Sequence, residues 1–182
     1  WYAHHNFSKD TNQLHWLTND LAQTSKPWKM LLTHFPVASS SGHGWSSYDG
    51  NALPDTYDFG NTIYPIVAKY NVDLIMAGHS HAFEKFSPVA GCISVVSGAG
   101  GASPYSFYRL FPGAKQIWTK NTPARVSDDG EQLRVDALDI NGEVFDWFVV
   151  NRIIPERDTW LSAWHTPTIE TAEADDDQGN LT

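Results

Sequence analysis

A chain of 182 residues with 41% hydrophobic content is long enough and apolar enough for one domain with a sizeable core, which excludes a disordered chain. The formal charge of −9 argues against nucleic-acid binding through a basic patch, because neutralising phosphates takes clustered Lys and Arg. A phosphate-bearing ligand would have to find its positive potential in metal ions instead. No run approaches the roughly 18 apolar residues of a membrane-spanning helix. Aromatic residues make up 13%, with eight Trp, most of which core packing explains. Cys92 has no second cysteine to pair with, and its setting in Cys92-Ile93-Ser94-Val95-Val96 reads as a buried strand residue.

In chain order, residues 1–7 read as a strand or its end. The chain carries no initiator Met and no visible signal peptide, so it reads as beginning within a domain. Asp10 has the character of an N-cap, with Gln13 at capping-box spacing and Leu14, Leu17 and Leu21 as the apolar stripe of a helix. His15 falls beside that stripe, at the surface or boundary. Pro27 closes the helical unit, and Trp28 to Thr33 reads as a short buried strand. Residues 37–59 are rich in Ser, Gly, Asp and Asn, a loop too long for a mere connection. Thr62 to Tyr70 reads as a helix with Pro65 in its first turn, where a missing N–H costs little. Val72 to Ala77 is the next buried strand. Strand, loop, helix, strand is a βαβ unit, so these two strands are expected to be adjacent and parallel, within an α/β fold.

Cys92 to Val96 reads as a further strand, followed by Gly98-Ala99-Gly100-Gly101. That cluster is either a tight turn or a backbone pressed close to a site. It is not a phosphate-cradling loop, since no helix start follows it. Residues 103–124, with three prolines, read as irregular. Leu133 to Leu138 alternates apolar and polar, Asn141-Gly142 is a hairpin turn, and Val144 to Val150 returns as the partner strand. Residues 1–152 form the domain; 153–182 read as an acidic tail or linker, with Asp175-Asp176-Asp177 solvated.

Histidine stands at the carboxyl end of both strands of the βαβ unit, where α/β sheets bind ligands. His34 follows the first strand and, alone, reads as a hydrogen-bonded polar residue. Gly78-His79-Ser80-His81 follows the second. Gly78 lets the chain turn sharply, and two histidines spaced by one residue share a face when extended. Neutral imidazoles converging on one small volume suit transition metals. His4, His5 and His165 have no such setting and read as structural.

His34 in its His-x-Pro context, followed by Gly78-His79-Ser80-His81, resembles the last two motifs of the calcineurin-like metallophosphoesterases. The flanks resemble the purple-acid-phosphatase-like branch: Gln13-Leu14-His15-Trp16-Leu17, Lys26-Pro27-Trp28-Lys29, Ser39-Ser40-Ser41-Gly42-His43-Gly44, the Ala82-Phe83-Glu84-Lys85 continuation, and Ser97-Gly98-Ala99-Gly100-Gly101. The likeness runs from about Trp1 to Val150. It implies the C-terminal half of an αββα sandwich, two metal ions (Fe, Zn or Mn), and phosphate ester hydrolysis by a water that both metals activate. By this resemblance His34 and His79 bind one metal and His81 the other, and His43 contacts substrate phosphate or protonates the leaving oxygen. An exposed loop histidine is the alternative for His43. Glu84 is expected either to accept a hydrogen bond from a ligand imidazole or to form an exposed salt bridge.

The chain departs from the family pattern in one respect. Asp-x-His, Gly-Asp-x-x-Asp and Gly-Asn-His do not occur in it, and Gly60-Asn61-Thr62 lacks the histidine. The bridging carboxylate and remaining ligands are expected from a missing N-terminal half, on the same or a separate chain, without which these residues would be inactive. A non-catalytic binding or structural module with the same fold is the other reading. The branch's habit implies a secreted or periplasmic location.

Overall fold

The computed structural model describes residues 11–41, 59–107, 110–111 and 113–151. Helix α1 (Thr11–Gln23) buries Leu17 and Leu21 and leaves His15 exposed, as its stripe requires. Strand β1 (Met30–Thr33) follows, then α2 (Phe59–Tyr70) and β2 (Leu74–Ala77). β1 and β2 pair in parallel, with Met30 opposite Leu74 and Thr33 opposite Ala77, so the βαβ unit forms as expected. Asp73 fixes the register of the sheet. Its carboxylate accepts from Lys29 N, its N–H donates to Lys29 O, and its carbonyl accepts from Ile93 N.

Two expectations are corrected here. β1 alternates between exposed and half-buried positions, with Leu32 71% and Met30 45% exposed, because it stands at the end of its sheet among the described residues. Helix α2 begins three residues earlier than its stripe suggests, so Pro65 sits in the second turn and not the first. Its apolar face still closes on the core through Ile63 and Val67, both buried.

β3 (Phe83–Phe86), β4 (Ile93–Ser97) and β5 (Ala114–Trp118) complete a five-stranded sheet of order β1-β2-β4-β3-β5. β1, β2 and β4 run parallel; β3 is antiparallel to both of its neighbours. β5 corrects the reading of residues 103–124 as irregular: prolines on either side of Ala-Lys-Gln-Ile-Trp obscured a five-residue strand. β6 (Ala124–Asp128), β7 (Gln132–Leu138) and β8 (Val144–Asn151) form a second, antiparallel sheet. Its hairpin closes through Asn141-Gly142, with Gly142 at φ 83°, a conformation glycine adopts without steric cost.

The layers follow from strand alternation. One face of the large sheet packs Val72, Ile75 and Cys92 against Leu17, Leu21, Ile63 and Val67 of the helices. The other packs Leu74, Phe83, Ile93 and Val95 against Leu133, Val135, Phe148 and Val150 of the small sheet. The stack is therefore helices, mixed sheet, antiparallel sheet. Within it Lys85 and Asp146, each 1% exposed, pair at 2.6 Å and join β3 to β8. Burial pulls the Lys85 ammonium below its ordinary range, against the opposing pull of Asp146. The tail expected at 153–182 and the strand at 1–7 lie outside the described residues.

Candidate metal centre

Both histidine segments emerge at the carboxyl ends of adjacent parallel strands, β1 and β2. Gly78 N donates to the His34 carbonyl at 3.2 Å, so the two exits remain paired for one step beyond the strands. Beyond Gly78 the chain turns tightly: Ser80 N donates to Gly78 O at 2.7 Å and Ala82 N to Ser80 O at 2.8 Å. His79 occupies the turn at φ 62°. A non-glycine residue held there costs about 1–3 kcal/mol, and such strain clusters at functional sites. Gly98 supports the turn from below. A Cβ on it would overlap the Ser80 carbonyl oxygen, while one on Gly100 or Gly101 would meet nothing. Of the glycine cluster, then, Gly98 is the member pressed onto the histidine segment.

The turn brings His79 Nδ1 to 3.3 Å from His34 Nε2. The three rings of His34, Phe35 and His79 meet edge to face, with centroids 4.8–5.1 Å apart. His34 is exposed and His79 half-buried, so the pair faces solvent. His81 is held differently. Its Nδ1–H donates to Ser103 O at 2.9 Å, and its ring stacks on Tyr105 at 4.0 Å. Tyr105 N in turn donates to His81 O at 2.9 Å, and Asn121 Nδ2 donates to Ala99 O and Ala102 O, pinning the loop. With Nδ1 committed as donor, Nε2 carries the lone pair, the form in which a histidine ligates metal.

These nitrogens can be tested against a metal. Two tetrahedral ligands at about 2.0–2.1 Å from zinc stand about 3.3–3.4 Å from each other. The His34–His79 separation fits that edge. It equally fits a hydrogen bond between the two rings, in which one nitrogen donates. Among the described residues no group of three or more His, Cys, Asp or Glu side chains is arranged to hold a metal ion. The imidazole pair and His81 would supply only part of a donor set. His43 lies outside the described residues, as do His4, His5 and His165.

Glu84 departs from both readings made of it. It is 0% exposed, so it is no surface salt bridge. Its carboxylate accepts from Ser39 Oγ at 2.5 Å and Ser40 N at 2.7 Å, with Ser80 Oγ 3.4 Å away, and not from a histidine. Burial raises its pKa above the ordinary glutamate range, and the hydrogen bonds from Ser39 and Ser40 oppose this. Ser39, Ser40, Ser41, Ser103, Tyr105 and Asn121 were not singled out as functional side chains in the sequence. The run of three serines offered the one available signal, and it reads as loop polarity until a buried partner is known.

Comparison with known proteins agrees with this architecture. A family model described as calcineurin-like phosphoesterase matches residues 1–83. The chain is 33% identical over 92 residues to the Fe(3+)-Zn(2+) purple acid phosphatase 12 of Arabidopsis thaliana, covering 48% of this chain and 18% of that protein. It is 26% identical over 128 residues to the probable inactive purple acid phosphatase 1 of the same plant, covering 59% of this chain and 20% of that protein. Its fold is similar to that of the purple acid phosphatase PPD1 from yellow lupin, with a TM-score of 0.70 and 24% identity over 80% of this chain and 29% of that one. The fold is similar to that of a purple acid phosphatase, and residues 1–83 match the calcineurin-like phosphoesterase model. Within that class the likeness is to the purple acid phosphatases. It spans less than a quarter of the length of its curated relatives: 12% of an acid phosphatase from Aspergillus ficuum and 24% of a rabbit tartrate-resistant one. No described helix is long and apolar enough to cross a membrane.

Proposed function

We propose that the intact protein hydrolyses phosphate esters with two metal ions, His34 and His79 holding one and His81 the other. The approach of His34 Nε2 and His79 Nδ1 to 3.3 Å across two strand ends carries this reading. Bound metal would supply positive charge for the phosphoryl oxygens and acidify water near neutral pH. The chain's own residues hold and orient. His79 is set by its strained turn, and His81 keeps Nε2 available because Ser103 occupies Nδ1. His43 is the proton donor to the leaving oxygen, a task suited to a group titrating near neutrality. The bridging carboxylate and remaining ligands would come from the missing N-terminal half, on the same or a separate chain. The uncovered side chains of Met30 and Leu32, on the sheet face that buries Leu74, are where that missing half would pack. Iron, zinc and manganese all suit such a site, the imidazoles favouring the first two. A secreted or periplasmic location is part of the proposal.

Metal analysis with a turnover assay on a chromogenic phosphate ester tests the reading. The intact protein should bind two metals and turn over. His81→Ala should empty one position and abolish turnover. His43→Ala should keep both metals and slow turnover by roughly a hundredfold. Wild-type rates in His43→Ala would remove it from the site. A second reading, a binding module that keeps the fold, is favoured by the likeness to a relative named as probable inactive. An intact protein with no metal and no turnover would select it.

A further inference from the structure

We propose that Glu84 is a positioning residue of the metal site, locking the loop that follows His34 onto the turn that carries His79 and His81. The inference rests on the reading that those histidines bind metal. Residues 36–41 leave the His34 segment and are buried throughout. Ser39 Oγ has one proton, and its shortest bond gives that proton to Glu84. Ser41 N donates back to Ser39 Oγ at 3.1 Å, and Ser80 Oγ donates to Ser41 Oγ at 2.7 Å. Ser40 gives its N–H to Glu84 and takes Phe111 N on its Oγ at 3.0 Å. The two histidine-bearing segments therefore meet in one buried hydrogen-bonded cluster of four serines' worth of donors, acceptors and a carboxylate.

Ser80 is the decisive member. It is 0% exposed and stands between His79 and His81, so its side chain points inward from the residue flanked by both. The turn holds His79 at positive φ and has Gly98 against its backbone. Its inward hydroxyl contacts are Ser39, Ser41 and Glu84. Among its hydrogen-bond partners Glu84 has no cation, which is a costly way to hold a loop unless the geometry it fixes matters. Residues that orient metal ligands from behind typically govern affinity by 10- to 100-fold.

The test is Zn²⁺ binding to the metal-free intact protein by chelator competition, with thermal melting and amide hydrogen exchange over residues 36–41 and 78–82. Glu84→Gln keeps an acceptor for Ser39 but turns an amide N–H toward the Ser40 N–H. It should weaken Zn²⁺ binding roughly 10- to 100-fold and speed exchange in both segments, whatever melting temperature the lost Ser40 contact leaves. His34→Ala is the reference. If it binds Zn²⁺ as the wild type does, the metal reading itself fails. If it loses Zn²⁺ while Glu84→Gln binds within about twofold of wild type, the reading stands and the positioning role is overturned. A lower melting temperature with unchanged affinity makes Glu84 a fold residue and also overturns it. Should Glu84→Gln not fold, Ser80→Ala removes one hydroxyl and should weaken binding about tenfold; wild-type affinity there refutes the proposal.

Discussion

At the scale of single residues, the ionisation of Glu84 has a thermodynamic sign. Burial raises its pKa in the folded protein above the value near 4.3 of an unfolded chain. The folded state therefore keeps its proton to a higher pH than the unfolded state does. Its contribution is complete below the unfolded value and is lost as pH rises through the folded one. We expect the stability of the metal-free wild type, relative to Glu84→Gln, to fall as pH rises from about 4 toward neutrality. Urea midpoints of the two proteins across that range check it; a difference growing with pH would mean the fold favours the carboxylate. The placement of His34 and His79 at neighbouring strand ends was legible, because each follows a short apolar run of one βαβ unit. Glu84's partners were not legible. They lie 45 and 44 residues away, and nothing local in Ser-Ser-Ser announces a buried acceptor.

At the scale of elements, β3 explains what sequence reading missed. Phe-Glu-Lys-Phe places two charges in the middle of a four-residue strand that is buried at every position. Alternation read from the sequence would send one of them to water. Both are instead satisfied inside, Glu84 by serines on one face and Lys85 by Asp146 on the other. Lys85→Met should destabilise the protein by about 3–5 kcal/mol, because it leaves the Asp146 carboxylate buried without the Lys85 ammonium. Lys85→Met with Asp146→Leu should recover most of that loss, since two apolar groups cost less there than a carboxylate left without that ammonium. Equilibrium unfolding of the three proteins decides it; a double variant as unstable as the single would show that the ion pair itself holds β3 to β8. The βαβ unit and the β7–β8 hairpin, by contrast, were legible, because helix period, strand runs and an Asn-Gly turn all pointed the same way.

At the scale of the whole molecule, the α/β class and the layer order follow from two buried faces of one sheet. On the proposed reading, His34, His79 and His81 would need a bridging carboxylate to hold two cations in a hydrolytic arrangement. These 182 residues by themselves should show no turnover of a phosphate ester under conditions where the intact protein is active. Full activity from the isolated chain would refute the need for upstream ligands. The alternation along β3 also imposes a parity rule on chain length. Side chains change face at every residue, so the count from His81 to Glu84 decides which group meets which surface. One residue inserted between Ala82 and Phe83 would deliver Phe83 to the serines and Glu84 to Asp146, carboxylate against carboxylate. Removing Ala82 would carry the Lys85 ammonium to the place beside Ser80. Two inserted residues restore the original faces at the expense of a longer loop. Soluble yield and melting temperature should therefore collapse for the single insertion and partly return for the double one: between its histidines and its second sheet, the chain tolerates even errors of length better than odd ones.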